Sequence, residues 1–172
     1  MAGLFHLTRR FFTSLRPGGP RAEDQEWVAS VLSGPELELW QQMSGPDRRH
    51  SVGVARRVER SLGHEAGKEV LAAALLHDVG KTVARLRTYG RVVATVSAAV
   101  AGHEMAYSWS RSRGFVRRVG LYLRHPELGG DLLALAGSDP LTVAWTREHH
   151  LPADQWTVPA HIGETLKACD DD

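Results

Sequence analysis

The amino-acid sequence predicts an all-α protein, a helical bundle that forms one domain. Ser, Asp and Pro at helix starts and Gly at helix ends divide the chain into helical stretches with short connectors. No stretch shows the alternation of polar and apolar residues that is typical of a strand. With 172 residues, the chain is long enough for one well-developed core and too short for two full catalytic domains.

Each predicted helix is bounded by these start and stop residues. In chain order the predicted helices cover residues 24–32, 35–43, 46–62, 66–79, 91–106, 114–124, 126–136, 140–150 and 159–170. Pro35, Pro126, Pro140 and Pro159 stand at first helical positions, where the missing N–H costs little. Residues 1–23 are expected to be a flexible basic and apolar tail, and residues 24–172 to be the folded domain.

The composition is that of an ordinary globular protein, with 42% hydrophobic residues and a net charge of +1. The longest weakly polar stretch, residues 92–102, is about half of the roughly 20 residues needed to cross a bilayer. A single cysteine, Cys169, excludes an internal disulfide and a cysteine-based zinc site, so metal ligands must be His and carboxylate. The N-terminus lacks the organisation of a secretory signal, and we therefore expect a cytoplasmic protein.

The charges are distributed asymmetrically along the chain. Residues 81–124 contain nine Lys or Arg against one acid, whereas residues 125–172 contain nine acids against two basic residues. Within the Arg-rich segment 85–124, arginines interleave with Trp109 and Phe115, a composition suited to phosphate contacts and stacking. It suggests association with nucleic acid or an anionic membrane surface, although a solvated amphipathic helix has the same composition.

The most informative feature of the sequence is AALLHDVGK, residues 73–81, which sets His77 and Asp78 side by side at the inner end of an apolar helix. Leu71 and Leu75 share a helical stripe with Asp78, and the adjoining stripe includes His77, so both polar groups face the core. A buried carboxylate and imidazole carry a large desolvation cost, for which a divalent metal ion is an economical compensation.

Three further helices each carry an apolar stripe that ends at a His or an Asp. These residues are His50, His149 with His150 beside it, and Asp170. A lone inward histidine is more often a hydrogen-bonded core residue, and a lone inward aspartate is often a cap. Several such groups would each need a separate partner, whereas one shared metal centre satisfies them together. His125, at a predicted helix N-terminus, is a further candidate ligand or a simple cap residue.

Together these residues resemble the HD superfamily of metal-dependent phosphohydrolases, whose pattern is a His, a His-Asp pair and a distant Asp. The elements HDVGK, HPELGGDLL, TREHH and LKACDDD are similar to those of its HD-GYP branch, and the likeness covers roughly residues 46–172. The Asp-Gly-x-Gly-Tyr-Pro loop of that branch, which takes part in recognising cyclic di-GMP, is replaced here by LPADQWTVP. The chain between Asp78 and His125 is also longer than is usual in that branch.

The resemblance implies a compact HD-domain helical bundle with two groups of metal ligands. These are His50, His77, Asp78 and Asp170 for one divalent ion, and His125, His149 and His150, with Asp78 bridging, for a second. Such nitrogen and oxygen donors suit Fe, Mn, Zn, Co or Ni. The ions would activate a water for hydrolysis of a phosphoester of a nucleotide or related metabolite. The alternative is a catalytically weak regulatory or binding module that takes a nucleotide or another anionic partner.

Other polar residues near these ligands are expected to assist. Asp78 and Lys81 are the expected catalytic residues. Lys81 is expected to contact a phosphate oxygen, since Gly80 would end the helix and let the ammonium turn back. Its alternative role is a favourable interaction with the helix dipole. Further candidates are Arg48 and Arg49 for phosphate binding, and Asp47 and Glu148 for orienting ligand histidines.

Overall fold

The computed structural model describes residues 18–86, 90, 94 and 103–171. These residues form an all-α bundle with no strand among them, so the predicted fold class is confirmed. The helices are α1 (Ala22–Val31), α2 (Gly34–Gln42), α3 (Gly45–Leu62), α4 (Lys68–Leu76), α5 (Lys81–Ala84), α6 (His103–Ser110), α7 (Gly114–Leu123), α8 (His125–Leu135), α9 (Pro140–Glu148) and α10 (Ala160–Asp171). Short 3₁₀ turns lie at Gly63–Glu65 and Ala153–Gln155.

Helix boundaries follow the predicted ones closely, with three differences. The predicted helix 66–79 ends at Leu76, and a turn follows before the short helix α5, which was not predicted. The predicted helix 91–106 lies largely outside the described residues, and the described helix α6, His103–Ser110, overlaps its last residues and extends beyond them. Most of the predicted tail, residues 1–17, also lies outside the described residues, while α1 begins at Ala22, within that tail.

Helix α4 is the centre of the bundle. All seven residues from Val70 to Leu76 are buried, as expected for a helix that is apolar on every side. Helices α3 and α9 lie against it, and α10 packs on α3. The hydroxyl of Thr142 on α9 donates to the Glu69 carbonyl of α4 over 2.9 Å. The chain therefore leaves α4 in the interior, which is why polar residues after Leu76 are buried.

Helices α6 and α7 form an antiparallel pair, the α6–α7 hairpin (His103–Leu123), beside α5. A Cβ atom at Gly120 would lie 2.3 Å from the Ser110 backbone nitrogen, so only glycine permits this approach of the two helices. Val119 and Leu121 pack with Ala84 of α5 in a second small core. None of the helices in the described ranges combines the length and apolar character needed to cross a bilayer.

Gly80 lies at the contact between the turn after α4 and helix α8. Its backbone is right-handed, with φ −63° and ψ −18°, so it does not act as the left-handed helix end that the sequence suggests. A Cβ atom there would lie 2.0 Å from the His125 carbonyl oxygen and 2.6 Å from the Gly129 nitrogen. Gly80 is therefore needed for close packing, and this packing brings Asp78 against His125.

Candidate metal centre

The structure brings all seven predicted metal ligands to one region of the bundle. They come from five segments of the chain: His50 on α3, His77 and Asp78 after α4, His125 at the start of α8, His149 and His150 after α9, and Asp170 in the last turn of α10. The buried apolar stripes direct these side chains inward, as the helical spacing predicted.

Asp78 lies between the histidines and contacts most of them. Its Oδ1 atom is 3.3 Å from Nε2 of His125 and 3.9 Å from Nε2 of His149. Its Oδ2 atom is 3.5 Å from Nε2 of His77 and also contacts the Lys81 ammonium. The two oxygens of one carboxylate thus face different histidines, an arrangement that suits a bridging ligand.

Asp170 completes the side of the centre that faces α3. Its Oδ1 atom is 2.8 Å from Nε2 of His50 and 3.5 Å from Nε2 of His77. The carboxylate is buried, whereas the side chain of His50 retains 27% of its exposure. The opposite side is formed by His150, an exposed residue whose ring centroid lies 4.0 Å from that of His149. The centre is therefore interior but open at its two edges.

Three of the histidines are held in the same way by a backbone carbonyl three residues earlier. Each Nδ1–H donates to this carbonyl: His77 to Ala74 over 2.9 Å, His125 to Tyr122 over 2.7 Å, and His149 to Thr146 over 2.9 Å. The proton on Nδ1 leaves Nε2 with a free lone pair. Histidine ligands in metalloproteins typically use this second hydrogen bond to fix their orientation.

The Nε2 atoms of these three histidines have no hydrogen-bond partner within the described part of the chain, although all three are buried. Leaving a buried acceptor unsatisfied costs about 1–3 kcal/mol. His77, His125 and His149 therefore share a deficit that a bound cation would remove, because each lone pair faces the Asp78 carboxylate. We conclude that the residues present fit a divalent metal ion.

Burial and charge set the protonation states of the centre. Burial, followed by the neighbouring His150 and His77, lowers the pKa of His149 well below its usual range. Burial also lowers the pKa of His125, and it combines with the positive charge of nearby groups to lower that of His150 to about 4. These rings are therefore neutral near pH 7, the form that coordinates metal ions.

Asp78 and His77 shift in directions that reflect their contact. Burial alone would raise the pKa of Asp78, but Lys81 and His77 outweigh it and hold the pKa well below its usual range. Burial alone would lower the pKa of His77, whereas Asp78 and Asp170 raise it. The two carboxylates thus favour the protonated form of His77 more strongly than burial disfavours it.

Two groups of ligand atoms are compact enough to hold one ion each. The donor atoms of His50, His77 and Asp78 lie within 4.8 Å of one another, and so do those of His125, His149 and His150. Asp170 adds an oxygen to the first group through its contacts with His50 and His77. Both groups consist of imidazole nitrogens and carboxylate oxygens, donors that many divalent transition metals accept.

Lys81 is turned toward the centre. Its ammonium contacts Oδ2 of Asp78 and lies 5.8 Å from the centroid of the Tyr122 ring. Burial would lower the pKa of Lys81, but Asp78 raises it above the usual value, with Tyr122 and Asp47 contributing. Lys81 therefore carries a positive charge beside the Asp78 carboxylate.

The predicted phosphate-binding arginines also make contacts away from the ligands. The Arg48 guanidinium lies over the Trp40 ring, 5.3 Å from its centroid. Arg49 donates to the carbonyl of Gly18. Both arginines lie close to His50 in the chain. The Arg48 guanidinium, however, contacts α2, and that of Arg49 contacts the segment before α1.

The two acids predicted to orient ligand histidines differ in position. Asp47 accepts a hydrogen bond from the Ser44 hydroxyl over 2.7 Å, and its negative charge contributes to the raised pKa of Lys81. Glu148 instead accepts two hydrogen bonds, each 2.7 Å, from the backbone and hydroxyl of Thr157. It holds the segment after α9 rather than a ligand ring.

Sequence reasoning missed two residues that support the ligands. Tyr122 supplies the carbonyl that holds His125, and the spacing of three residues, shared with His77 and His149, is a signal that could have identified it. Arg57 donates to the Cys169 carbonyl through Nε over 3.0 Å and through Nη2 over 2.7 Å. Its position two helical turns after His50 places it on the same face of α3.

Comparison with known proteins identifies no relative on which a function could be based. The chain matches no family model, no curated protein and no solved structure.

Proposed function

We propose that this protein is an HD-type metal-dependent phosphohydrolase that cleaves a phosphoester of a nucleotide or related metabolite. The observation that supports the proposal most strongly is the set of three buried, unpartnered Nε2 atoms facing Asp78. A pair of divalent ions held there would supply an activated water and stabilise the charge that develops on the phosphoryl group.

The charges of the centre suit a phosphorylated substrate once the ions are bound. Asp78 and Asp170 together contribute two negative charges, and the lowered pKa values keep three of the histidines neutral. Two divalent cations would therefore leave an excess of positive charge, which attracts anions into the centre.

Lys81 adds a cationic group at the edge of the same centre. Its side chain retains 14% of its exposure against 6% for Asp78, and its ammonium contacts the Asp78 carboxylate. We assign it to contact a phosphate oxygen, as a point charge with rotatable donors. Arg48 and Arg49 remain further candidates for binding the rest of an anionic substrate.

The decisive experiment combines metal analysis with an activity screen. Protein purified without chelators should contain close to two divalent ions per chain, and with Mn²⁺ or Fe²⁺ it should hydrolyse members of a panel of phosphomonoesters, nucleotides and cyclic dinucleotides. Asp78→Ala should lose both metal and activity. Asp154→Asn, which changes an exposed acid outside the centre, should retain both.

The outcomes separate the proposal from its alternative. Stoichiometric metal without hydrolysis of any substrate in the panel would favour a regulatory or binding module that takes a nucleotide or another anion. Absence of metal after loading, or activity that survives Asp78→Ala, would contradict the metal centre itself.

A second proposed role is contact with an anionic lipid surface through the end of the α6–α7 hairpin. Residues 105–126 contain five arginines and no acid. The exposed residues at the end of the hairpin include Tyr107, Arg111, Arg113, Phe115, Val116 and Arg117. Arginine next to exposed aromatic and aliphatic side chains suits the boundary of an anionic bilayer, and an aliphatic residue such as Val116 cannot stack on a base.

Vesicle binding tests this role. Vesicles containing phosphatidylserine should bind the protein, and binding should weaken with salt and in a Phe115→Ala, Arg117→Ala variant. Phosphatidylcholine vesicles serve as the control. Salt-sensitive binding to single-stranded DNA or RNA without binding to vesicles would favour the nucleic-acid interpretation. Binding to neither would contradict both interpretations of this surface.

We place the proposed activity in the cytoplasm. The only cysteine of the chain, Cys169, is buried and unpaired, which suits a reducing compartment. Fractionation of the producing cells should recover the protein with the cytoplasmic fraction, and recovery from outside the cell would contradict this location.

A further inference from the structure

Asp170 occupies a position that is unfavourable for an acid. It lies in the last turn of α10, where the helix dipole presents partial negative charge and the backbone carbonyls lack helical partners. Asp171 follows it, and Lys167 pairs with Asp171 over 3.1 Å. A carboxylate at this helix end needs compensation from outside the helix if it is to keep one position.

Arg57 on α3 supplies this compensation. Its Nε and Nη2 atoms donate to the carbonyl of Cys169, the residue directly before Asp170, over 3.0 Å and 2.7 Å. Two donors from one planar guanidinium fix this carbonyl more firmly than a single flexible donor would. The positive charge of Arg57 also opposes the partial negative charge at the end of α10.

The same helix holds the Asp170 side chain. His50 lies seven residues before Arg57 on α3, and its Nε2 atom is 2.8 Å from Oδ1 of Asp170. Seven residues correspond to about 10 Å along a helix. Helix α3 therefore contacts the end of α10 at two separated points, one on the backbone of Cys169 and one on the carboxylate of Asp170.

We propose that Arg57 is a positioning residue that sets the place of Asp170 in the first ligand group, an inference that rests on the proposed metal centre. Arg57 holds no ligand of the second group, which consists of His125, His149 and His150. Loss of its hydrogen bonds should therefore weaken one ion and leave the other bound.

The test measures metal affinity in the full chain, by competition with a chelator and by the visible absorption of Co²⁺-loaded protein. Arg57→Met should weaken the first ion roughly 10- to 100-fold, the range found when groups supporting a metal ligand are removed. Arg57→Lys should recover part of the affinity, because an ammonium can still donate to the Cys169 carbonyl. The control Arg60→Met changes an exposed arginine of the same helix and should match the wild type.

A double-mutant cycle separates positioning from general stability. If Arg57 acts through Asp170, adding Arg57→Met to Asp170→Asn should weaken the metal no further. Additive losses in the double variant, loss of both ions, or wild-type affinity in Arg57→Met would overturn the proposal while leaving the metal centre in place. Failure of the wild-type protein to bind metal would instead overturn the proposed function, and this inference with it.

Discussion

At the scale of single residues, the hydrogen bond from Nδ1 of His77, His125 and His149 to a backbone carbonyl leaves Nε2 of each ring as the nitrogen that can bind a cation. His77 and His149 directly follow the last residues of α4 and α9, and His125 lies two residues after the end of α7. The last carbonyls of a helix have no helical partner, so they are available to accept the Nδ1–H of these rings. The helix ends thus determine which nitrogen of each histidine faces Asp78.

The pKa shifts of these residues predict how the metal-free protein responds to acid. Histidine in an unfolded chain titrates near pH 6.5, and the folded pKa values of His125, His149 and His150 lie lower. Below about pH 6.5 the unfolded state therefore binds more protons, and the free energy of unfolding falls as pH decreases toward 4. The raised pKa of His77 acts in the opposite direction. We expect the effect of the three histidines with lowered pKa values to exceed that of His77 alone.

Urea denaturation in the presence of EDTA at pH 7.5, 6 and 5 measures this effect. A group of this kind contributes at most about 1.4 kcal/mol per pH unit between its two pKa values. A His150→Gln variant should show a shallower dependence on pH, because one of the depressed groups is removed. A free energy of unfolding that stays constant or rises between pH 7.5 and 5 would contradict the assigned protonation states.

At the residue scale, the sequence predicts the metal ligands better than the residues that hold these ligands in position. His50, His77 and Asp170 follow apolar stripes, so a helical pattern alone turns them inward. Arg57 does not follow from such a pattern, because its partner is a backbone carbonyl more than 100 positions away in the chain. Glu148 illustrates the same limit, since the chain turn that brings Thr157 to its carboxylate leaves no periodic signal.

At the scale of elements, helix starts and ends are largely determined by local chemistry. Pro35, Pro126 and Pro140 lie in the first turns of their helices, as the sequence predicts. The predicted end of α4 is three residues too late, because the apolar spacing continues through Asp78 although the helix stops at Leu76. The turn that follows depends on contact with α8, which local sequence does not reveal.

Gly80→Ala tests this contact between the turn and α8. The added Cβ would overlap the His125 carbonyl and the Gly129 nitrogen, so we expect the free energy of unfolding to fall by about 1–3 kcal/mol, as in other overpacked sites. Metal affinity should fall as well, because Asp78 and His125 would be moved apart. Thermal denaturation and metal competition measure the two effects.

Gly34→Ala provides a matched control for Gly80→Ala. Gly34 lies in the first turn of α2, and a Cβ atom there would have no neighbour within 4 Å. The control should be neutral or slightly stabilising, since alanine favours the helix. Equal effects of the two substitutions would show that close packing at Gly80 is unimportant.

At the scale of the whole molecule, the centre forms only when the bundle closes. Its ligands lie between positions 50 and 170. Among the helices that position them, α4 contacts α3 and α9, and α10 contacts α3. An ion bound to these residues is bound by the folded state alone. Metal binding and global stability should therefore be linked by mass action.

Removal of the metal should lower the melting temperature of the protein reversibly. At a free metal concentration of 100 times the dissociation constant, one ion stabilises the folded state by about 2.7 kcal/mol. Differential scanning fluorimetry in EDTA and after addition of excess Mn²⁺ measures the change. Asp78→Ala should show no such difference. An equal melting temperature of the wild-type protein in EDTA and in excess Mn²⁺ would contradict the proposed metal centre.

Four helices, α4, α7, α9 and α10, end near the candidate centre and place the negative poles of their dipoles there, whereas α8 begins there and contributes one positive pole. The negative poles and the Asp78 and Asp170 carboxylates repel anions, so we expect the metal-free protein to bind phosphate weakly. If the proposed function is correct, we therefore expect cations to bind before any phosphorylated molecule. Calorimetry with a nucleoside monophosphate should accordingly record heat after Mn²⁺ is added and none in EDTA.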